Sequence, residues 1–197
     1  MSGEFTLLPP EVYCSFAPYW KDSVLYSKRY MTTILESEDG TEQRLGIASK
    51  PVRGESFTIQ TRDQRQTGYI RRRLMKYVGH IWGVPIWPFE MIMSNSGEIG
   101  ASFVEVYTSL YRQLASGEEE IIIVSDYETF ETFRILGSTP TQITLSGELT
   151  QAWSQGTKIY PVLRSLVGMT VDLSPDTPEH TNIKMDFVES FRASGEY

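Results

Sequence analysis

The chain has 197 residues, of which 40% are hydrophobic and 12% aromatic, enough to bury a sizeable core and to exclude wholesale disorder. A net charge of −7 is the opposite of what a protein that coats nucleic acid normally carries, so no direct nucleic-acid binding is expected. The longest apolar stretches are Ile121 to Val124 and Ile81 to Phe89, the latter broken by Gly83, Pro85 and Pro88; neither approaches the roughly 18 residues that span a bilayer, and no membrane insertion is expected.

The lead-in from Met1 to Pro18 carries Pro9, Pro10 and Pro18 and reads as extended chain. Its start, Met1-Ser2-Gly3-Glu4, lacks the basic and apolar regions of a secretory signal, so none is expected. Lys28 to Leu35 is rich in β-branched and aromatic residues. Glu38-Asp39-Gly40-Thr41 is a turn signal, with Gly40 supplying positive φ, and Arg44 to Ser49 is the returning strand of a hairpin. Glu55 to Thr61 alternates polar and apolar residues, which predicts a third strand with one buried face.

From Gln66 to Val78 the period changes. Tyr69, Ile70, Leu74, Tyr77 and Val78 recur at helical spacing, and Arg71, Arg72, Arg73 and Lys76 cover the other faces. Gly79 stands where a helix-ending glycine belongs, and the cations fall in the second half, where the helix dipole favours them. Ile81 to Trp87 reads as a buried turn, and Phe89 to Met93 as a strand. Further short strands follow at Ser102 to Thr108, Glu120 to Asp126, Phe130 to Leu136, Thr141 to Ser146, Thr157 to Leu166, Gly168 to Leu173 and Asn182 to Phe191. Leu110 to Ala115 fits helix or loop equally. This pattern predicts a mainly β fold with one clear helix, a β-sandwich or β-barrel at the margin of α+β. No repeat or linker divides the chain, so residues 1–197 are expected to form one domain.

Candidates for chemistry are few. The single cysteine, Cys14, allows no intrachain disulfide and no cysteine cluster for zinc; it could be a nucleophile, but nothing near it in the sequence marks it, and it reads more simply as a free structural thiol. His80 and His180 are far apart, and no H-E-x-x-H, C-x-x-C, G-x-S-x-G or phosphate-binding glycine loop occurs. Glu118-Glu119-Glu120 could hold a hard cation, but three carboxylates in a row read more simply as a solvated charge run. Asp126, Glu128 and Glu131 contain two carboxyls that could serve glycoside hydrolysis, yet nothing in the sequence places any two in one cleft. The Arg71–Arg73 run could touch phosphate. Tyr77, Trp82 and Trp87 could stack on sugars; bulky residues among prolines equally suit the closed end of a core. No catalytic, cofactor-binding or metal residue is assigned, and the chain is expected not to be an enzyme.

Charge is unevenly placed. Residues 1–80 carry twelve Lys and Arg against nine Asp and Glu, a net of +3, while residues 81–197 carry six against sixteen, a net of −10. Such asymmetry is most simply spread over one folded surface, and it would also suit copies of one chain meeting through unlike faces.

One set of motifs is more specific. Ala17-Pro18-Tyr19-Trp20 leads through Tyr30-Met31-Thr32-Thr33 to Ser37-Glu38-Asp39-Gly40-Thr41-Glu42-Gln43-Arg44, and then to Lys50-Pro51-Val52-Arg53. This order resembles a pattern in tail proteins of long-tailed bacteriophages: a Pro-x-Trp entry, an S-x-x-G-x-E-Q-R hairpin and a Pro-Arg strand. Trp82-Gly83-Val84-Pro85-Ile86-Trp87 is similar to the W-x-V-P-L-W element after the helix of those proteins. Gln155 to Pro161 and Asp186-Phe187 match less specifically. Val52 is inserted in the Pro-Arg pair, and Tyr30 stands near where a tryptophan is usual.

The resemblance, to distal-tail and minor-tail components of the tail tip or baseplate, implies a structural subunit. It would form a closed ring between the tail tube and the receptor-binding parts, without catalysis or cofactor. The implied partners are copies of itself and the tube and hub proteins; the implied location is the virion tail, after synthesis in the host cytoplasm. Trp20, Gly40, Trp82, Pro85 and Trp87 are then the structural motif. Glu42 and Arg44, on one face of a strand at i and i+2, are expected to pair with Arg53 or with a neighbouring subunit, bracing the fold or the ring together with Arg71, Arg72 and Arg73. The alternative is a carbohydrate- or receptor-binding β-sandwich module that uses Tyr77, Trp82 and Trp87.

Overall fold

A computed structural model describes residues 10, 12–30, 32–36, 42–46, 51–109, 114, 119–167, 172–175 and 181–190, with the backbone alone for 32–36, 42–46 and 172–175. In chain order the elements are β1 (Val12–Tyr13), β2 (Leu25–Arg29), β3 (Thr32–Glu36), β4 (Glu42–Gly46), β5 (Val52–Gln60), α1 (Gln64–Lys76), β6 (Trp82–Pro85), a 3-10 turn (Trp87–Phe89) and β7 (Met91–Ile92). There follow β8 (Phe103–Glu105), β9 (Glu120–Val124), β10 (Phe130–Ser138), β11 (Gln142–Leu145), β12 (Lys158–Val167), β13 (Asp172–Pro175) and β14 (Thr181–Glu189). The fold is mainly β with one α-helix, as the spacing of turns implies. The Gly40 turn and His180 lie outside the described residues.

Six strands close on themselves. β7 pairs with β12, β12 with β9, β9 with β10, β10 with β11 and β11 with β8, all antiparallel. A bridge between Met93 and Val106 joins the two ends, with Ser94 N donating to Glu105 O at 2.9 Å and Tyr107 N to Ile92 O at 3.0 Å. The result is a small barrel without an open edge on this circuit. Alternate residues fill it: Met91, Val104, Ile121, Ile123, Ile143 and Ile159 are among its buried side chains. Ile135 sits at a bulge, since the β10–β11 register shifts between Ile135 and Gly137.

β9 and β12 also serve a second core. Ile122, Val124, Tyr160 and Val162 face away from the barrel and pack with Phe57 and Ile59 of β5, Ile183, Met185 and Phe187 of β14, and Trp82 and Val84 of β6. This explains why Ile121 to Val124 is an uninterrupted apolar run: it is buried on both faces. Along β12 one edge is shared by β7 at Lys158–Ile159 and β6 at Val162–Ser165. Pro161 falls in the gap between these partners, where its carbonyl accepts from Ile86 N at 2.8 Å, so its missing N–H breaks no ladder on that edge.

The helix covers the second core with Ile70, 4% exposed. It starts two residues before the expected Gln66: Asp63 caps it, its side chain accepting from Gln66 N at 2.8 Å, and Gln66 Oε1 reaches back to Arg62 N at 2.8 Å. The D-x-x-Q spacing of a capping arrangement was present in the sequence. The helix ends at Lys76 with Tyr77 as its cap, and Gly79 follows with φ of 76°. Val78, expected to be buried, is therefore 76% exposed, because the helical period has stopped before it. Lys28 to Leu35, expected as one strand, is two, β2 and β3.

Candidate functional site

β2 and β5 are antiparallel neighbours in the main sheet, with Arg29 opposite Val52. Between them the chain makes an excursion, and within it β3 and β4 pair antiparallel from Thr32–Gly46 to Glu36–Glu42. This hairpin is a two-stranded sheet of its own; among the described residues it pairs with no third strand. The returning strand that the sequence predicts at Arg44–Ser49 is thus Glu42–Gly46. Glu42 and Arg44 lie on it, outside the described side chains.

Arg53, at the base of this excursion, is held from elsewhere. Its Nε and Nη2 donate to Glu189 Oε1 at 2.9 and 2.6 Å, and its backbone N to Glu189 Oε2 at 2.9 Å. Its Nη1 also lies 3.6 Å from Glu119 Oε1. Forked pairing of this kind fixes orientation as well as adding energy. Its described partners are thus Glu189 and Glu119, carried to it by β14 and by the residue preceding β9.

A second ion-pair group lies at the start of β9. Glu120 is 4% exposed; its Oε1 accepts from Arg164 Nη2 at 2.8 Å and lies 3.6 Å from Arg134 Nε, while Oε2 takes the Tyr13 hydroxyl at 3.3 Å. The triple glutamate is therefore not a solvated run: Glu119 and Glu120 are paired brackets between strands, and Glu118 lies outside the described residues. Such a pair, once buried, is costly to break because one charge is left without its counter-ion.

The helix arginines divide. Arg73, three residues after buried Ile70, belongs to the inner stripe: Nη1 donates to Tyr13 O at 2.7 Å, and the guanidinium stands 4.7 Å from the Tyr69 ring centre. It does not share the outer face expected for all three. Arg71 and Arg72 are exposed, as are Arg62 and Lys76; none forms an ion pair among the described residues.

The aromatic segment is core. Trp82 and Trp87 are 3% and 2% exposed. Trp82 donates Nε1 to Tyr77 O at 3.2 Å and meets the rings of Tyr77 and Phe187, whereas Trp87 packs edge-on to Tyr160 at 4.8 Å and to Phe57 at 6.3 Å. They form no open platform for a sugar. Pro85 is buried in β6 opposite Val162, while Trp20 is 58% exposed on a turn. Beside Trp82 remains a cavity of about 10 Å³, walled by Cys14, Ile70 and Leu74 among others, at the lower limit for one water.

The catalytic candidates are not brought together. Cys14 is buried, and burial pushes its thiol up to about 12, the opposite of an activated thiolate. Asp126 Oδ1 accepts from Glu128 N and Thr129 N, both at 2.8 Å; Glu128 pairs with Arg65 at 2.9 Å; Glu131 accepts from Trp153 Nε1 at 2.7 Å and from Thr150. His80 sits against the Tyr77 ring at 5.7 Å. Among the described residues no three His, Cys, Asp or Glu could hold a metal ion.

One unusual carboxyl escaped the sequence reading. Glu55 is 2% exposed on the same face of β5 as Phe57 and Ile59. Oε1 accepts from Trp87 N at 3.1 Å, and Oε2 has no hydrogen-bond partner. Burial pushes it up to about 8, against the opposing pull of the Trp87 N–H, which favours the protonated form at pH 7. Its place in the alternation, two before Phe57, was the available signal. In comparisons with known proteins, no family model matches the chain and no curated protein matches its sequence.

Proposed function

We propose that the chain is a structural subunit of a bacteriophage tail tip or baseplate, whose copies assemble into a closed ring between the tail tube and the receptor-binding components. The motifs from Trp20 to Trp87 suggest the family. The observation that carries the assembly reading is the β3–β4 ribbon, which has both outer edges without a strand partner among the described residues. A lone two-stranded ribbon is marginal in water, and an unpaired edge is a template for another chain. A neighbouring copy would supply what the ribbon lacks, and Arg53, clamped to Glu189, would hold its base in one orientation.

Charge supports head-to-tail contact. The exposed cations Arg62, Arg71, Arg72 and Lys76 lie on or beside α1, whereas residues 91–160, which build most of the barrel, carry nine carboxylates against three cations; Glu119, Glu120 and Glu128 are met by Arg53, Arg164 and Arg65 from outside the stretch, and an excess of carboxylates remains. Unlike faces of this kind orient association and favour heterologous contacts that close into rings. Tube and hub proteins are the further partners proposed, and the virion tail the location.

The test is to replace residues 30–51 by Asn-Gly, which links Arg29 to its partner Val52 through a two-residue turn. Mass measurement in low salt, at high protein concentration or with tail partners, should show one dominant closed oligomer for the parent and a folded monomer for the shortened chain. A parent that stays strictly monomeric and never enters purified virions overturns the proposal.

A further inference from the structure

Beyond assembly, and independently of it, the barrel seam carries a groove. It is an open depression of about 420 Å³, with side chains from Ser94, Glu105, Tyr107, Thr139, Thr141 and Gln142 along its walls. Being open and lined mainly by polar residues, it differs from the enclosed apolar clefts that bury drug-sized ligands, and it suits a ligand that stays partly in water. Its floor is Val106, 1% exposed, where the bridge to Met93 closes the barrel.

What these walls offer is specific. Gln142 presents a side-chain amide, Ser94 and Thr141 present hydroxyls, and Glu105 keeps one carboxylate oxygen; none of these groups has a hydrogen-bond partner among the described residues. Glu105 Oε2 accepts from Asn95 Nδ2, and the Thr139 hydroxyl takes Gln142 N at 3.0 Å, so both walls are braced. Tyr107 is 60% exposed, and Gln155 Nε2 donates to its hydroxyl at 3.1 Å.

A ligand for this surface must exchange several hydrogen bonds with both donors and acceptors and lay an apolar patch on one ring. Glu105 on the wall repels an anion, and of the remaining classes a neutral polyhydroxyl ligand uses the Gln142 amide and the Ser94 and Thr141 hydroxyls as well as the carboxylate. Apart from Val106 and the Tyr107 ring the lining residues are polar, which gives apolar peptide side chains little to fill. Sugar rings answer this description, with hydroxyls at the rim and C–H faces for an aromatic. We propose that the groove binds a short neutral saccharide, with Tyr107 as the stacking platform and Gln142 and Glu105 as the hydroxyl-reading groups.

The test is saturation-transfer NMR on the full chain with maltose, cellobiose, lactose and N,N′-diacetylchitobiose at millimolar concentration. At least one should receive transfer from the parent protein. Tyr107→Ala and Gln142→Ala, both at partly exposed positions, should each weaken that binding about tenfold or more, while Tyr107→Phe should retain most of it. Tyr30→Ala, at an exposed aromatic elsewhere, should leave it unchanged; thermal melts check that all variants fold. No transfer to any of the four sugars overturns the proposal. So does transfer that survives both alanine substitutions.

Discussion

Replacing Glu55 by Gln isolates the energetic weight of one buried carboxyl. In the folded chain this group keeps its proton up to about pH 8; in the unfolded chain it loses it near 4.5. Between those values the folded state holds more protons than the unfolded one, so stability falls as pH rises. The contribution is complete below about pH 4.5 and is lost progressively on the way to about 8. At about 1.4 kcal/mol per pH unit, the window amounts to at most about 5 kcal/mol, a large share of the 5–15 kcal/mol typical of a domain. The substituted amide cannot ionise, and its carbonyl still accepts from Trp87 N. Urea unfolding of parent and Glu55→Gln across this range should therefore give curves that diverge. The variant should gain on the parent by several kcal/mol between the acid and alkaline ends, and most of that gain should appear above about pH 5. Parallel curves would refute the reasoning, since they would mean that Glu55 ionises as easily folded as unfolded.

Trp87→Ala should cost about 3–5 kcal/mol, read as a much lower melting midpoint, because its ring fills space between Tyr160 and Phe57. Arg164→Ala should cost about 3 kcal/mol by leaving the Glu120 carboxylate buried beside only the more distant Arg134, and Arg164→Met combined with Glu120→Gln should recover much of the loss in denaturant melts. Gly83→Ala should destabilise by about 1–3 kcal/mol, since a Cβ there would stand 2.4 Å from Tyr13 Cδ1; thermal melts in which Gly83→Ala matches the parent would show that Tyr13 yields freely.

Periodic elements were the legible ones. The helix stripe of Tyr69, Ile70 and Leu74, the alternation of β5 and the unbroken run of β9 each announce their burial through local spacing. The Trp82 to Trp87 segment was legible as apolar but not in its role, because stacking platforms and core plugs share the same residues. Pairings across long separations were hidden. Arg53 meets Glu189 across 136 residues, and only the antiparallel register of β5 and β14 brings them opposite. Glu119 and Glu120 look solvated in the sequence because nothing local shows the arginines that β5, β10 and β12 deliver. The groove at Tyr107 was hidden for a related reason: its walls come from the seam between β7 and β8 and from the turn between β10 and β11.

The strands β9 and β12 give the molecule an internal check on its own pairing. β9 sends Ile121 and Ile123 one way and Ile122 and Val124 the other, β12 divides Ile159 from Tyr160 and Val162 in the same manner, and both directions end in filled space. A slip of β12 by a single residue would push Tyr160 into an interior sized for Ile159 and withdraw it from Trp87 in the same movement. Errors on one side of this wall are thus felt on the other, and a misaligned chain gains nothing by satisfying either half alone. Heating should accordingly dismantle both interiors in one cooperative transition.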